Sequence, residues 1–434
     1  MNSVADLMQG IGSAAKGAAR TLALATTEQK NGALRAAASA LRASSAQILA
    51  ANDADTLESG AGLSAAMLDR LRLDESRVLG MARGLEEIAA ARDPIGAVLA
   101  QWPRPNGLII QRICVPLGVM GIIYESRPNV TADAGALCLK SGNAVVLRGS
   151  SSAVHSNAVL AQITAEAAVA AGLPAGCVSL IAGGGREELA ELATQDGSVD
   201  LIIPRGGESL KAALQAVATV PVIYAASGNC HVYVDASADL DQAEAIVMNA
   251  KTQRPGVCNA AETLLVHEAV AADFLPRMLD ALAAAGVLIR ADRRTRAIVD
   301  SHAATAGAAD RQAPDLIIED ATDEDWASEY LAPVLAVGVV DSVAEAIEHV
   351  GRYGSGHSEA ILTCDTAAAR AFQLGVDAAC VYVNASTRFT DGGEFGMGAE
   401  IGNSTQKLHA RGPIGLRELC TFKYLIEGDG HVRD

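Results

Sequence analysis

The sequence predicts an α/β protein with more than one domain, in which helices cover parallel sheets. Its 434 residues exceed what one ordinary hydrophobic core contains, so two domains or more are expected. Half of the residues are apolar but only 3% are aromatic, so the interior should be aliphatic and rich in alanine. Extended apolar segments alternate with helical ones, which is the pattern of parallel strands joined by crossover helices.

The amino-terminal region is predicted to be mainly helical. Residues 1–25 are rich in small side chains and helical in pattern, and residues 21–52 and 63–91 predict two long helices. The polar string Asn52-Asp-Ala-Asp55 is expected to break the chain between them. Strands are therefore expected only after this region.

Two extended runs, 107–115 and 118–124, flank Pro116 and Leu117 and predict a β-hairpin. Strand and helix then alternate, in the predicted pairs 144–148 with 156–171, 178–182 with 187–194, and 201–203 with 208–218. A second set lies within 229–383, with a long helix at 269–285 and strands at 334–340 and 360–362. A glycine-rich polar tail, 388–411, precedes an extended segment at 419–426.

Composition excludes several classes of function. The net charge of −17 argues against nucleic acid or an anionic membrane as a partner. No apolar segment is long enough to span a bilayer, and the first residues do not form a secretory signal, so a soluble cytosolic protein is expected. The eight cysteines are scattered without a Cys-x-x-Cys pair, which indicates neither a disulfide framework nor a zinc site.

Cys258 is the main candidate for a catalytic side chain. It lies in a short connection between a predicted helix, 239–251, and a predicted buried strand, 263–267. Lys251, Arg254 and His267 are close in sequence, and cationic neighbours favour the nucleophilic thiolate over the thiol. The alternative is that Cys258 is a small buried apolar residue.

The glycine-rich turn Gly183-Gly-Gly185 does not predict a dinucleotide-binding loop. It follows a strand and opens a helix, but its spacing is not Gly-x-Gly-x-x-Gly. Glu187 and Glu188 in the first helical turn would repel a pyrophosphate. A tight strand-to-helix turn is the better interpretation.

Several strings occur in a characteristic order along the chain. They are Pro116-Leu-Gly-Val-Met-Gly121 before Asn129, Ser141-Gly-Asn-Ala-Val-Val-Leu-Arg148, Ala238-Asp-Leu-Asp241, residues 253–258 and Glu329-Tyr-Leu-Ala-Pro-Val334. In this order they resemble the aldehyde dehydrogenase superfamily, over nearly the whole chain. The resemblance implies a Rossmann-like cofactor domain, an α/β catalytic domain and a small β oligomerisation element.

Longer strings narrow the resemblance. They are Tyr124-Glu-Ser-Arg-Pro-Asn-Val-Thr131, Leu139-Lys-Ser-Gly-Asn143, Pro204-Arg-Gly-Gly207, residues 251–260 and Asn384-Ala-Ser-Thr-Arg-Phe-Thr-Asp-Gly-Gly393. Together they resemble the branch of the superfamily that reduces L-glutamyl 5-phosphate to L-glutamate 5-semialdehyde with NADPH in proline biosynthesis.

The resemblance implies roles for three residues in the chemistry. Cys258 matches the nucleophile that forms a thioester, and Asn129 matches the asparagine that, with the cysteine N–H, holds the oxyanion. The segment before Asn129 is two residues longer than the superfamily pattern, and a turn asparagine beside Pro128 is the alternative. Ala225 stands where hydrolytic members carry the glutamate that activates water, so phosphate rather than water should exchange with the thioester.

The cofactor contacts are also implied by the resemblance. Arg148 matches a lysine that contacts the adenosine ribose, and Ser151 replaces the glutamate of many NAD-preferring members, so Arg148, Ser150 and Ser151 could bind a 2′-phosphate. A solvated strand end is the alternative for the two serines. Contacts near the phosphates and nicotinamide are implied for Pro204, Arg205, Gly206, Gly207 and Ser209. Glu329 matches the glutamate that holds the nicotinamide ribose, the alternative being a surface glutamate.

The substrate needs arginines for its two anionic groups and an acid for its ammonium. Arg127, Arg254 and Arg388 lie beside the motifs, and guanidinium groups pair well with carboxylate and phosphate. Glu125 could meet the ammonium. Each of the four could instead form a structural ion pair.

The predicted domains are an NADPH-binding domain, a catalytic domain and an oligomerisation element. Their residues are 1–106 with 124–228, 229–402, and 107–123 with 403–434, respectively. No metal is implied. The chain is expected to form a homo-oligomer and to associate transiently with glutamate 5-kinase. Two rivals stay open: a hydrolytic NAD(P) aldehyde dehydrogenase, against which Ala225 counts, and a non-catalytic member of the same fold.

Overall fold

The computed structural model describes residues 4–183, 185–225, 227–305 and 317–433. The chain divides into two compact units, which we call unit 1 and unit 2. Unit 1 contains residues 1–225, 396–402 and 413–434, and unit 2 contains residues 226–395 and 403–412. Gly184 of the glycine-rich turn and residues 1–3 of the first predicted helix lie outside the described residues.

The helices and strands follow in chain order. They are α1 (Val4–Leu22), α2 (Thr27–Ala43), α3 (Ser45–Ser59), α4 (Ala65–Leu71), α5 (Glu75–Ala90), β1 (Val98–Pro103), β2 (Ile109–Pro116), β3 (Val119–Tyr124), α6 (Asn129–Lys140), β4 (Ala144–Arg148), α7 (Val154–Ala170), β5 (Val178–Leu180), α8 (Arg186–Ala193), β6 (Leu201–Arg205), α9 (Glu208–Val217), β7 (Cys230–Val234), α10 (Leu240–Thr252), β8 (Ala261–His267), α11 (Glu268–Ala284), β9 (Leu288–Ala291), α12 (Arg293–Thr305), β10 (Ile318–Asp320), α13 (Asp323–Trp326), β11 (Val334–Val340), α14 (Val343–Tyr353), β12 (Ser358–Leu362), α15 (Thr366–Gly375), β13 (Cys380–Val383), β14 (Asn403–Ser404), β15 (Gly412–Pro413) and β16 (Cys420–Glu427). Short 3₁₀ turns lie at Gly60–Gly62, Ser151–Ala153 and Thr387–Phe389.

Unit 1 contains a parallel sheet in the order β5-β4-β3-β6. Every residue of β3 and β4 is buried, as expected for parallel strands covered on both faces. The helices α7, α8 and α9 follow β4, β5 and β6, so the strand-helix pairs predicted between residues 144 and 218 are confirmed. Because the strands are parallel, the turns after β3, β4 and β6 lie at one edge of the sheet.

The predicted hairpin of residues 107–124 is wrong. Strand β2 pairs antiparallel with β1 and β16, whereas β3 pairs parallel with β4 and β6 in the other sheet. Gly118 makes the change of sheet possible with φ +133°, and a Cβ there would lie 2.1 Å from Asp200 Oδ2. The N–H of Val119 donates to the same Asp200 oxygen at 2.8 Å. This distant partner fixes the turn, and nothing in the local sequence indicates it.

The predicted break at residues 52–55 is also wrong, because these residues lie inside α3. Asn52 is buried and its Nδ2 donates to the Leu71 carbonyl at 2.9 Å. Asp55 is buried and accepts from the Ser156 hydroxyl at 2.6 Å and from the Ser156 N–H at 2.8 Å. Their polarity serves contacts with other helices rather than a turn. The chain breaks instead at residues 23–26 and at Ser44, so the long helix predicted over 21–52 is divided among α1, α2 and α3.

Unit 2 contains a seven-stranded sheet in the order β10-β9-β11-β8-β7-β12-β13, with parallel pairing throughout. One face packs against α11, through Phe274, Leu275 and Met278 in a cluster with Val232 and Leu264. The second α/β set is thereby confirmed, including the long helix and the strands at 334–340 and 360–362. Strand β8 lies in the middle of the sheet, directly after the loop that carries Cys258.

The third sheet has the order β1-β2-β16 and places β16 at an edge. The extended segment predicted at 419–426 is confirmed by β16. Its large apolar side chains are exposed, among them Phe422, Tyr424 and Ile426. Whether this sheet has the predicted oligomerisation role stays a prediction. Among the helices of the described ranges, none has the length and apolar character needed to cross a membrane.

Candidate active site

The loop of residues 253–260 joins α10 to β8 and carries Cys258. Pro255 and Gly256 follow the helix end, so the connection is short, as predicted. The Cys258 side chain is half-buried, whereas Cys230 nearby on β7 is fully buried. A half-buried thiol on a tightly held loop is accessible to a small substrate, and this fits the nucleophile better than the alternative of an inert core residue.

The main chain of Cys258 packs directly against the start of β7. A Cβ on Gly228 would lie 1.5 Å from the Cys258 carbonyl oxygen, so only glycine allows this approach. The Cys230 thiol donates to the same carbonyl at 3.2 Å. The Gly228 N–H donates to Glu329 Oε1 at 2.6 Å. Gly228 therefore contacts both the predicted ribose ligand, Glu329, and the Cys258 peptide.

A fully buried ion pair lies at the base of this loop. Lys251 Nζ and Glu262 Oε2 are 2.5 Å apart, and both side chains are completely buried. Glu262 Oε1 also accepts from the Leu331 N–H at 3.1 Å. Burial raises the pKa of Glu262 to about 7, although Lys251 and the Leu331 N–H oppose the rise, and burial lowers the pKa of Lys251. The pair therefore ties α10, β8 and the segment after Glu329 together.

Arg388 is bound to the same loop. Its Nε donates to Gln253 Oε1 at 2.8 Å, and its guanidinium also donates to the side-chain oxygen of Asn259. Burial, and then the charge of Arg254, lower the pKa of Arg388. Of the predicted residues, unit 2 thus brings Arg254, Arg388 and Glu329 to the loop of Cys258.

Buried polar groups extend behind Cys230. The Cys230 sulfur lies 3.9 Å from His357 Nδ1, which is 2.8 Å from the Ser358 hydroxyl. Burial lowers the pKa of His357 to about 4, so this imidazole is neutral at pH 7. Burial also raises the pKa of Cys230 well above its ordinary value, which leaves that thiol protonated and unreactive.

In unit 1 the predicted cofactor residues lie at the carboxyl edge of the sheet. Arg148 ends β4, is only 6% exposed, and donates from Nη2 to the Gly185 carbonyl at 2.7 Å. Burial lowers its pKa, while Glu188 and Glu125 raise it. The Ser150 hydroxyl accepts from the Ser126 N–H at 3.1 Å, and Ser151 is exposed in the 3₁₀ turn that follows.

Glu125 directly follows β3, and its side chain contacts the turn before α9. Its Oε2 accepts from the Gly207 N–H at 3.0 Å, and a Cβ on Gly206 would come within 2.5 Å of the same oxygen. Pro204 is buried in β6, Arg205 ends that strand half-buried, and Ser209 is exposed in the first turn of α9. The contacts of Glu125 are thus with the predicted phosphate loop, and its assignment to the substrate ammonium stays a prediction.

Asn129 is the first residue of α6 and is exposed. Its Nδ2 donates to Asp133 Oδ2 at 3.0 Å, one helical turn along. Burial raises the pKa of Asp133 to about 6, opposed by this hydrogen bond. Arg127 is half-buried in the connection between β3 and α6. Both predicted residues belong to unit 1, together with Ala225, whereas Ala226 lies outside the described residues.

The sequence pattern did not predict the structural importance of Gly228 and Cys230 or the pairing of Lys251 with Glu262. One signal was present: Glu262 is a carboxylate next to the predicted buried strand, and a charge in a buried strand needs a buried partner. The role of Gly228 could not be found, because the Cys258 carbonyl that requires it is distant in sequence.

The sequence model of the aldehyde dehydrogenase family matches residues 3–305 and 313–423 of the chain. It therefore belongs to the aldehyde dehydrogenase family. The gamma-glutamyl phosphate reductase of Moorella thermoacetica is 55% identical over 432 residues, covering 99% of this chain and 100% of the relative. That of Syntrophomonas wolfei is 53% identical and covers 99% of both chains. Within the family, the chain groups with the gamma-glutamyl phosphate reductases.

Solved structures agree with this grouping. The crystal structure of gamma-glutamyl phosphate reductase from Thermotoga maritima superposes with a TM-score of 0.92 at 44% identity, covering 98% of this chain and 100% of that chain. An acetylating aldehyde dehydrogenase from Geobacillus thermoglucosidasius, at 19% identity and a TM-score of 0.68, shares the fold. The predicted α/β fold of the aldehyde dehydrogenase type is confirmed.

Proposed function

We propose that this chain reduces L-glutamyl 5-phosphate to L-glutamate 5-semialdehyde with NADPH and releases phosphate, as a step of proline biosynthesis. The observation that carries the proposal is the loop of Cys258, held by Gly228 on one side and by Arg388 on the other. The activity is that named for relatives of 55% and 53% identity over nearly the full length.

Cys258 acts as the nucleophile. Its thiolate attacks the acyl carbon, the C–O bond to phosphate breaks, and a thioester forms on the sulfur. NADPH, when bound, supplies the hydride that reduces the acyl carbon. The C–S bond then breaks, the aldehyde leaves, and Cys258 returns to the thiolate. The positive charge of Arg388 and Arg254 near the loop favours the thiolate and the anionic substrate.

Water must not compete for the thioester. General-base assistance contributes about 10²- to 10⁴-fold to such hydrolysis. Ala225 supplies no base at the position where hydrolytic members of the family carry a glutamate. Glu262, a possible substitute, is engaged by Lys251 and the Leu331 N–H, so both of its oxygens already accept hydrogen bonds. The thioester therefore persists until it is reduced or until phosphate attacks it.

Residues of unit 1 are proposed to bind NADPH. Two glycines at the carboxyl edge of the sheet pack closely against neighbouring side chains. A Cβ on Gly149 would lie 2.0 Å from Asn157 Nδ2, and a Cβ on Gly206 would meet Glu125. Arg148 would contribute a cation for the 2′-phosphate, with Ser150 and Ser151 beside it. Pro204, Arg205, Gly207 and Ser209 are proposed to contact the phosphates, and the family resemblance implies that Glu329 holds the nicotinamide ribose.

Asn129 is proposed to stabilise the oxyanion with the Cys258 N–H. The hydrogen bond to Asp133 orients its amide, which has a second N–H to donate. Arg127, Arg254 and Arg388 are proposed to bind the substrate carboxylate and phosphate, and Glu125 its ammonium.

A second copy of the chain is the proposed partner of the sheet β1-β2-β16. The edge strand β16 presents main-chain hydrogen-bonding groups and the exposed Phe422, Leu425 and Ile426, which suit pairing with a neighbouring subunit. A transient complex with glutamate 5-kinase is also proposed, since an acyl phosphate hydrolyses readily and benefits from direct transfer.

The substitution Cys258→Ala tests the proposal. It should abolish phosphate-dependent NADPH formation from glutamate semialdehyde, because no thioester can form, while NADPH binding followed by fluorescence stays intact. Cys364→Ala is the matched control, since Cys364 is an exposed cysteine of the same unit. Turnover by Cys258→Ala within about tenfold of the wild type would refute the assignment.

A further inference from the structure

The Lys251–Glu262 ion pair is placed where stability alone does not explain it. Both side chains are completely buried at a separation of 2.5 Å. Removing two charges from water costs much of what their attraction returns, so a buried pair adds little net stability. Such pairs are informative chiefly for the geometry they impose. Here the partners stand at the two ends of the loop 253–260, Lys251 in the last turn of α10 and Glu262 near the start of β8.

Glu262 also holds a third segment. Its Oε1 accepts from the N–H of Leu331, a residue with φ +50°. A branched side chain is strained in this left-handed conformation, so the hydrogen bond helps to maintain the turn. Lys251 Nζ additionally lies 5.9 Å from the centre of the Tyr330 ring. The ion pair thus contacts two residues that directly follow Glu329.

Glu329 completes a closed set of contacts around the nucleophile. It accepts from the Gly228 N–H at 2.6 Å, and Gly228 abuts the Cys258 carbonyl. The Cys258 loop is therefore fixed from its base by Lys251 and Glu262, and from its side by the segment that Glu262 anchors. A change in the pair would move the loop and Glu329 together.

We propose that Lys251 and Glu262 are positioning residues, which set the place of Cys258 relative to Glu329 without touching the reacting atoms. The inference rests on the proposed function of Cys258 as nucleophile. A displacement of about 1 Å at a reacting centre lowers a rate by about 10²-fold, so the larger effect of a change in the pair is expected on kcat. The groups that face Glu262 are Lys251, Glu329, Tyr330 and Cys230.

The test compares Glu262→Gln, Lys251→Met and the double variant, all in a Cys364→Ala background. Iodoacetamide alkylation, located by peptide mass spectrometry, then reports the reactivity of Cys258 without any substrate. Each single variant should lower kcat by about 10- to 100-fold with KM changed by less than about threefold, and should change the alkylation rate. Asp235→Asn is the matched control, since Asp235 is a buried carboxylate of unit 2 bonded to Ser237 and Thr363.

The double variant separates positioning from mere stability. It leaves no unpaired buried charge, so its thermal stability should recover relative to the single variants. Its kcat should stay low, because the loop has lost its attachment. Recovery of both stability and kcat, or an alkylation rate equal to that of the wild type in all three variants, would overturn the proposal. Because alkylation needs no substrate, an error in the assigned reaction would leave this readout informative.

Discussion

Replacing Gly228 by alanine should disable the enzyme through a single methyl group. The added Cβ would lie 1.5 Å from the Cys258 carbonyl oxygen and 2.3 Å from its carbonyl carbon. Both contacts are with backbone, so no side-chain rotation relieves them. Real Cβ contacts essentially never fall below 3.0 Å, and the two strands of chain must therefore separate by more than an ångström.

The expected effect follows from that displacement. A shift of about 1 Å at the nucleophile costs about 10²-fold in rate, so kcat should fall at least about 100-fold. The Glu329 hydrogen bond to the Gly228 N–H should be disturbed as well. Turnover is measured as NADPH formation from glutamate semialdehyde and phosphate, with circular dichroism and thermal unfolding to show that the variant is folded.

Gly256→Ala is the matched control within the same loop. A Cβ there would meet only the Leu331 carbonyl, at an ordinary contact distance of 3.7 Å. Its kcat should stay within about threefold of the wild type. If Gly228→Ala is folded and keeps kcat within about tenfold of the wild type, the close packing of Gly228 on Cys258 does not govern catalysis.

Two further predictions concern the cofactor and pH. Ser151→Glu should lower the NADPH-to-NADH ratio of kcat/KM by about tenfold or more, because a carboxylate repels the 2′-phosphate, whereas the neutral Ser151→Gln should not; equal ratios in the two variants would refute the ribose assignment. Burial lowers the pKa of His357 to about 4, so the unfolded chain binds a proton below pH 6.5 that the folded chain does not. The free energy of unfolding should therefore fall by about 1 kcal/mol between pH 7.5 and 5.5 from this residue, and His357→Gln should lose that dependence in urea titrations at the two pH values; an unchanged pH dependence would contradict it.

Local periodicity was enough to predict the alternating strands and helices. Strands such as β4 and β11 are almost entirely apolar and buried, and a pattern of this kind depends only on neighbouring residues. The loop of Cys258 was predicted for the same reason, since Pro255 and Gly256 end the helix before it.

What the sequence could not show depends on partners far along the chain. The polarity of Asn52 and Asp55 indicates a turn unless Leu71 and Ser156 are known to receive their hydrogen bonds. The local sequence around Gly118 predicts a hairpin, because the contact with Asp200 is visible only in the structure. The same holds in the candidate active site, where the need for glycine at position 228 follows only from its contact with the Cys258 carbonyl.

The central claim is that a thioester on Cys258 exchanges with phosphate and not with water. Stopped-flow measurement of NADPH formation from glutamate semialdehyde and NADP in phosphate-free buffer tests it most directly. A single burst of no more than one NADPH per Cys258 is expected, followed by steady turnover when phosphate or arsenate is added. Steady multiple turnover without phosphate would contradict it, and would place the chain with the hydrolytic members of the family.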